Sequence, residues 1–192
     1  RWNFWTKDAE PVQAILQRAG ISPALLEAPL SRVTQGQYAD LIRVLRRVTR
    51  DELWGLCGQP LKLGSFAQVC RMLVHCGTLG EALRTGFQFY HLQLSDFVPR
   101  LTVESGVATV RLVSRVERDP TLGYADRTFC FLTYGLASWL VARRIPVQEV
   151  MYRPMDLGCS TDAARLFMAP VVYEYPWVGF RFDARWLDLP VV

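Results

Sequence analysis

Lysine and histidine are nearly missing from this chain of 192 residues. Lys7 and Lys62 are the only lysines, so arginine supplies almost all of the positive charge, and His75 and His91 are the only histidines. Two histidines leave few options for imidazole acid–base catalysis or for a histidine-rich metal site. The net charge of +4 is modest, whereas a nucleic-acid-binding domain presents a clustered basic face. Charge alone therefore does not indicate DNA binding.

Long apolar runs and a regular cysteine framework are also absent. The longest apolar stretch, residues 129–142, spans 14 residues, whereas a membrane helix needs about 20. The five cysteines are odd in number and irregularly spaced, which argues against a secreted disulfide scaffold. We therefore expect a soluble protein in a reducing cytoplasm.

The compact motifs of several enzyme classes are missing. The sequence has no G-x-S-x-G elbow, no phosphate-binding loop, no G-x-G-x-x-G fingerprint and no C-x-x-C pair. Hydrolase, nucleotide-binding and thiol-redox sites built on these motifs are therefore excluded. Cys70, His75 and Cys76 are neighbours in sequence, but on a helix their side chains point in different directions. We predict no catalytic residue, no metal site and no cofactor.

The residues that are present suit one packed domain. Hydrophobic residues make up 51% of the chain and charged residues 21%, which excludes overall disorder. The first hundred residues have helical hydrophobic spacing. Thr34 with Gln37, and Thr78 with Glu81, have the spacing of capping boxes at helix starts. Ser22-Pro23 predicts a short helix between two longer ones, after a C-terminal cap at Gly20.

The hydrophobic period changes to two after Pro99. Leu101 and Val103 precede the turn residues 104–106, and Val110 follows them, which is typical of a β-hairpin. A long helix is predicted over residues 124–144, then a strand near 147–152, a helix capped by Thr161, and strands near 171–175 and 178–182. This ββαβαββ order after the helices predicts an α+β fold with a mainly antiparallel sheet. We expect one domain over residues 1–192, helical to about 98 and sheet-containing from about 99.

The predicted long helix has two distinct faces. The spacing assigns these residues to its core side: Phe129, Leu132, Leu136, Trp139 and Leu140. The opposite face carries Arg127, Phe131, Tyr134 and Ser138. Aromatic residues on a second face indicate that it is also covered. It lines a cavity, meets another subunit or packs on the N-terminal helices, and the spacing does not choose among these.

Several short motifs recur in a characteristic order along nearly the whole chain. They are Gly20-Ile21-Ser22-Pro23-Ala24-Leu25-Leu26-Glu27, Arg32-Val33, Gln37-Tyr38, Asp51-Glu52-Leu53-Trp54-Gly55-Leu56, Leu63-Gly64-Ser65-Phe66, Thr78-Leu79-Gly80-Glu81-Ala82-Leu83 and Trp186-Leu187-Asp188-Leu189-Pro190. In this order and spacing, the chain resembles the N-terminal regulatory domain of AraC-type bacterial transcriptional activators. Within that family it is most similar to the subgroup of ornithine-utilisation regulators.

The resemblance implies a domain that binds a small-molecule effector and forms a homodimer, with no membrane partner. DNA would be bound only by a C-terminal domain with two helix-turn-helix units, which would begin after Val192 and is not in this chain. The strand-rich pattern of the arabinose regulator's jelly-roll sensor does not occur here. We therefore carry over neither sugar specificity nor any sugar-contacting residue.

We expect the effector between the helical part and the sheet. Arg127 would pair with a carboxylate, Tyr134 and Ser138 would orient polar groups, and Tyr90 would form an aromatic wall. An effector that binds one arrangement of the domain better than another shifts their populations.

Two other function classes are weighed against a regulatory domain. The first is a haem-based sensor with His91 as axial ligand, although the Tyr-x-Ser-x-Arg motif of those sensors is absent. The second is a small enzyme that uses Cys70 or Cys76 as nucleophile with His75, which the helical geometry disfavours. The sequence names neither the effector nor the direction of regulation.

Overall fold

The computed structural model describes residues 12–27, 31–117, 120–154 and 161–192. The chain forms two compact units, residues 1–66 and residues 67–192. Helices dominate the first unit. The second unit combines helices with a five-stranded sheet. The predicted α+β class is confirmed.

The first unit contains helix α1 (Val12–Arg18), a 3₁₀ helix (Pro23–Glu27) and helix α2 (Gln35–Thr49). The predicted capping box at the start of α2 is confirmed, because the Gln37 N–H donates to Thr34 Oγ1 at 3.2 Å and the Thr34 N–H donates to Gln37 Oε1 at 2.9 Å. The Gln37 amide also donates to the Gly20 carbonyl at 2.6 Å. Gly20 has a φ of +66°, as expected for the residue that ends α1.

Two adjacent acidic residues organise the loop after α2. The Asp51 side chain is buried and accepts hydrogen bonds from the backbone N–H groups of Leu53, Gly55 and Leu61 at 2.7–2.8 Å. Glu52 accepts from the N–H groups of Gly64 and Phe66. These bonds satisfy backbone donors of a segment that has no regular structure. The Asp51-Glu52 motif therefore has a structural role.

The helices that follow are α3 (Ser65–Leu73), α4 (Leu79–Gln93), α5 (Pro120–Leu140) and α6 (Thr161–Phe167). Thr78 caps α4, since its hydroxyl accepts from the Glu81 N–H at 3.2 Å. The second half of the predicted capping box does not form there. The Glu81 carboxylate accepts instead from the Gly77 N–H at 2.7 Å, one residue before the cap.

The strands are β1 (Phe97–Glu104), β2 (Val107–Ser114), β3 (Val147–Met151), β4 (Val171–Val172) and β5 (Val178–Asp183). Their order in the sheet is β1-β2-β5-β3-β4. All neighbours are antiparallel except β3 and β4. The predicted ββαβαββ order is confirmed. Ser105 and Gly106 form the hairpin turn with φ values of 49° and 78°, the positive angles of a type I′ turn.

Helix α5 begins and ends about four residues earlier than predicted. It ends at Leu140 because Ala142 adopts a left-handed conformation with a φ of 48°. The Ala142 N–H donates to the Trp139 carbonyl, and the Arg143 N–H donates to the Ser138 carbonyl. These two bonds form the Schellman motif that closes a helix. Arg143 and Arg144 therefore lie in the loop after α5.

The predicted core side of α5 is wrong for two residues. Leu132 and Trp139 are 45% and 59% exposed, whereas Tyr134 is only 5% exposed. The Tyr134 ring packs on Phe167 and Phe180, with centroid distances of 4.9 Å and 5.8 Å. The sheet therefore lies against the stripe that contains Phe129, Tyr134 and Leu140. None of the described helices is long and apolar enough to cross a membrane.

Candidate functional site

A solvent-open groove of about 280 Å³ lies between helix α4 and strand β1. Its polar and basic lining comes from Arg84, Gln88, His91, Arg100, Thr102 and Arg111. Its apolar lining comes from Phe87, Pro99 and Leu101. No aspartate or glutamate is among these lining residues, so the groove concentrates positive charge. A groove with apolar surface and a few convergent polar groups is the usual form of a small-molecule site.

One wall of the groove is a stripe on α4. Arg84, Gln88 and His91 are spaced four and three residues apart, so they lie on one face of the helix. His91 Nε2 lies 2.7 Å from the Pro99 carbonyl oxygen. A carbonyl can only accept, so Nε2 carries the hydrogen in this contact. This bond connects the end of α4 to β1.

The other wall is formed by β1 and β2. Arg100 and Arg111 are directly paired across these strands, so their side chains leave the same face of the sheet. The Arg111 guanidinium lies over the Trp177 ring, with its Cζ atom 5.1 Å from the ring centroid. Its Nε atom is buried and has no hydrogen-bond partner within the described part of the chain. The stacking contact with Trp177 fixes the position of this guanidinium.

A second arginine–aromatic pair lies on the same face of the sheet. Arg181 donates to the Tyr175 hydroxyl at 2.7 Å and lies 3.5 Å from a Glu149 carboxylate oxygen. The pKa of Tyr175 is raised above its ordinary value, first by its hydrogen bond with Glu149 and then by burial. Glu149 compensates the charge of Arg181. Arg111 is paired with Arg100 on β1 and with Gly179 on β5, so neither residue directly opposite it is acidic.

A buried ion pair lies elsewhere in the second unit. Arg153 Nη2 is 3.2 Å from Asp126 Oδ2, and the two side chains are 6% and 0% exposed. Burial, and then the charge of Asp126, raise the pKa of the neighbouring Cys130 thiol far above its ordinary value. A thiol in that state is not a nucleophile. We assign this cluster a structural role.

Two of the four predicted site residues meet at the end of α5. The Tyr134 hydroxyl accepts from Arg144 Nε at 3.1 Å and lies 3.2 Å from the Ile145 carbonyl oxygen, to which it donates. Ser138 accepts from the Ile145 N–H at 3.4 Å. Ser138 also lines an open groove of about 590 Å³ with Trp139, Arg143, Arg144 and Val192.

The other two predicted residues, Tyr90 on α4 and Arg127 on α5, lie apart from this cluster. Tyr90 is buried, and its ring meets Phe129 edge to face at a centroid distance of 4.8 Å. Arg127 is half-buried on α5. Neither lines the α4–β1 groove. The sequence analysis did not select Arg84, Arg100 or Arg111, although an arginine within the alternating pattern of β2 was a signal that could have found Arg111.

Within the described part of the chain, the cysteines and histidines do not form a metal cluster. His75 is exposed beyond the end of α3, and the Cys76 thiol lies near the Met72 carbonyl and the Thr85 hydroxyl. Among the residues described here, no three histidine, cysteine or acidic side chains come close enough to bind a metal ion. Cys159 lies outside those residues.

Known proteins give two further observations. The crystal structure of the transcriptional regulator CdpR from Pseudomonas aeruginosa is similar to this chain, with a TM-score of 0.48 and 15% sequence identity. The similarity covers 94% of this chain and 56% of that one, so this chain spans about half the length of that structure. No curated protein sequence matches the chain.

A protein family matches nearly the whole sequence. Its description is "Arabinose-binding domain of AraC transcription regulator, N-term", and the match covers residues 11–191. The match agrees with the order of motifs from Gly20 to Pro190. The chain therefore belongs to the family of N-terminal domains of AraC transcription regulators.

Proposed function

We propose that this domain senses a small-molecule effector, which binds in the groove between α4 and β1. One observation supports this most directly: three arginines, a histidine and an uncharged amide converge on a groove that also has apolar lining. A solvated surface of the same size would be expected to mix charges of both signs. The effector is therefore expected to carry negative charge.

The two walls of the groove couple effector binding to the arrangement of α4 relative to β1. One wall belongs to a helix and the other to a sheet, and the His91–Pro99 bond joins them at one point. An effector that contacts both walls stabilises the arrangement in which α4 lies close to β1. Its differential affinity for this arrangement sets how far the population shifts.

The output of this shift is DNA binding by another domain. The family consists of N-terminal domains of transcription regulators, so we propose that a C-terminal helix-turn-helix domain binds DNA in the full-length protein. We further propose that the protein is a cytoplasmic homodimer and that this domain has no catalytic activity. Arg127, Tyr134, Ser138 and Tyr90 stay an untested alternative set of effector contacts, since none of them lines the α4–β1 groove and Ser138 lines the groove at the end of α5.

The proposal is tested by blocking the groove with a bulky side chain. Gln88 is an exposed residue of the α4 wall, so Gln88→Trp should fill the groove and leave the core intact. We expect a metabolite set to contain compounds that raise the melting temperature of the natural chain but not that of Gln88→Trp. Differential scanning fluorimetry measures both, because a ligand that binds only the folded state stabilises it.

Gln68→Trp is the matched control, since Gln68 is an exposed residue of α3 away from the groove. It should keep the response to every compound that stabilises the natural chain. If Gln88→Trp responded to those compounds as strongly as Gln68→Trp, the effector would bind elsewhere and the groove assignment would be wrong.

A further inference from the structure

We propose that the effector of this groove is a short α,ω-dicarboxylate. This inference rests on the proposed function, and it assigns the ligand class that the groove selects. The lining residues supply three guanidinium groups and no carboxylate. A single carboxylate forms its strongest contact with one guanidinium, through two parallel hydrogen bonds. One such group would leave the remaining positive charge of the groove uncompensated.

The positive charges are divided between the two walls. Arg84 projects from α4, together with Gln88, whereas Arg100 and Arg111 project from paired positions of β1 and β2. Two anionic groups joined by a short chain can contact both walls at once. A ligand with one anionic group can pair with the arginines of only one wall.

The apolar residues of the groove fit the chain between two carboxylates. Phe87, Pro99 and Leu101 line the same groove as the arginines, and methylene groups bury favourably against such surfaces. A volume of about 280 Å³ is slightly below the range of small-molecule sites, which begins at about 300 Å³. It suits a ligand of metabolite size and not a long acyl chain.

Arg111 is the position held ready for one carboxylate. Its guanidinium lies over Trp177, and its buried Nε has no acceptor within the described residues. Because Nε itself is buried, a carboxylate in the groove would accept from the other N–H groups of this guanidinium. Arg181 also has a buried Nε without a partner among the described residues, but its Nη2 already has Tyr175 and Glu149 as partners.

The test compares a dicarboxylate with a monocarboxylate of similar length. Glutarate and butyrate are titrated into the 192-residue chain by isothermal titration calorimetry at about 0.15 M salt, where the screening length is about 8 Å. We expect glutarate to bind at least about tenfold more tightly than butyrate, because only glutarate can form charge-assisted bonds with both walls. Arg84→Gln should lower glutarate affinity to that of butyrate and leave butyrate binding unchanged.

Arg71→Gln is the control, because Arg71 is exposed on α3, does not line the groove, and its loss removes the same charge. It should retain the preference for glutarate. Equal affinities of the natural chain for the two probes, or no binding of glutarate, would overturn the dicarboxylate assignment. In either case the groove assignment stands if other compounds raise the melting temperature of the natural chain but not that of Gln88→Trp. The failure of the ligand class and the failure of the groove are therefore distinguishable.

Discussion

Arginine side chains in this domain differ chiefly in what compensates their charge. Arg153 is buried and paired with a buried carboxylate, Asp126. Arg111 is stacked on an aromatic ring, and its buried Nε has no hydrogen-bond partner among the described residues. Arg43 lies on the exposed surface of α2 beside Asp40. The free energy that each contributes depends on its solvation. A buried charge that loses its partner is costly, whereas an exposed one is screened by water.

At this scale we predict that Asp126→Asn lowers the free energy of unfolding by about 3–5 kcal/mol, the usual cost of breaking a buried ion pair from one side. The substitution keeps the size of the side chain and leaves the Arg153 guanidinium, which is 6% exposed, opposite a neutral amide. Urea denaturation followed by circular dichroism measures the change.

Asp188→Asn is the matched control, because Asp188 belongs to the same unit and is exposed. The control should change the free energy of unfolding by less than about 0.5 kcal/mol. Similar losses for the two variants would mean that the Asp126–Arg153 pair does not stabilise the fold.

Glycines within regular elements show how strongly the surroundings decide a position. Gly179 is the second residue of β5, where an added Cβ would overlap the Val110 carbonyl oxygen of the neighbouring strand and lie 3.2 Å from the Met151 methyl group. Gly135 lies in the middle of α5, is exposed, and has open space around an added Cβ. The same substitution should therefore have opposite effects at the two sites.

We predict that Gly179→Ala lowers the free energy of unfolding by about 3 kcal/mol or more, since the overlapping atom belongs to the backbone and the strands would have to separate. Gly135→Ala should raise it by about 0.5–1 kcal/mol, because alanine loses less conformational entropy than glycine in a helix. Thermal denaturation of both variants tests the pair. A Gly179→Ala variant as stable as the natural chain would contradict the close approach of β2 and β5.

The second unit is closed by contacts between segments about a hundred residues apart. The Leu79 N–H donates to the Leu189 carbonyl at 2.9 Å, and Thr78 pairs with Pro190. An added Cβ on Gly80 would lie 3.1 Å from the Leu187 carbonyl oxygen. Two motifs that carried the family resemblance therefore meet, and their residues support each other. This contact explains why both segments matter to the same fold.

For the whole molecule we predict a homodimer. A regulator that presents two DNA-binding domains to two half-sites needs a two-fold pairing, because half-sites repeat at about one turn of the DNA helix. Native mass spectrometry of the 192-residue chain should show a species of twice the monomer mass, with a fraction that rises with protein concentration. A monomer at every concentration up to about 100 µM would contradict dimerisation by this domain, since a weaker Kd corresponds to less than about 5.5 kcal/mol of association free energy.

The sequence by itself determined the features that depend on neighbours along the chain. The capping box of Thr34 and Gln37, the hairpin turn at Ser105-Gly106 and the ββαβαββ order all follow from local hydrogen bonding and hydrophobic period. The same local rules misplaced the end of α5, because the left-handed Ala142 carries no glycine signal.

Only the tertiary structure decided which residues meet. The apolar pattern of α5 fits more than one orientation, and the packing of Tyr134 on Phe180 selects the side that faces the sheet. The groove combines a stripe of α4 with paired positions of β1 and β2. No spacing in the sequence brings Arg84 and Arg111 together, because their proximity is a property of how a helix packs on a strand and not of either segment.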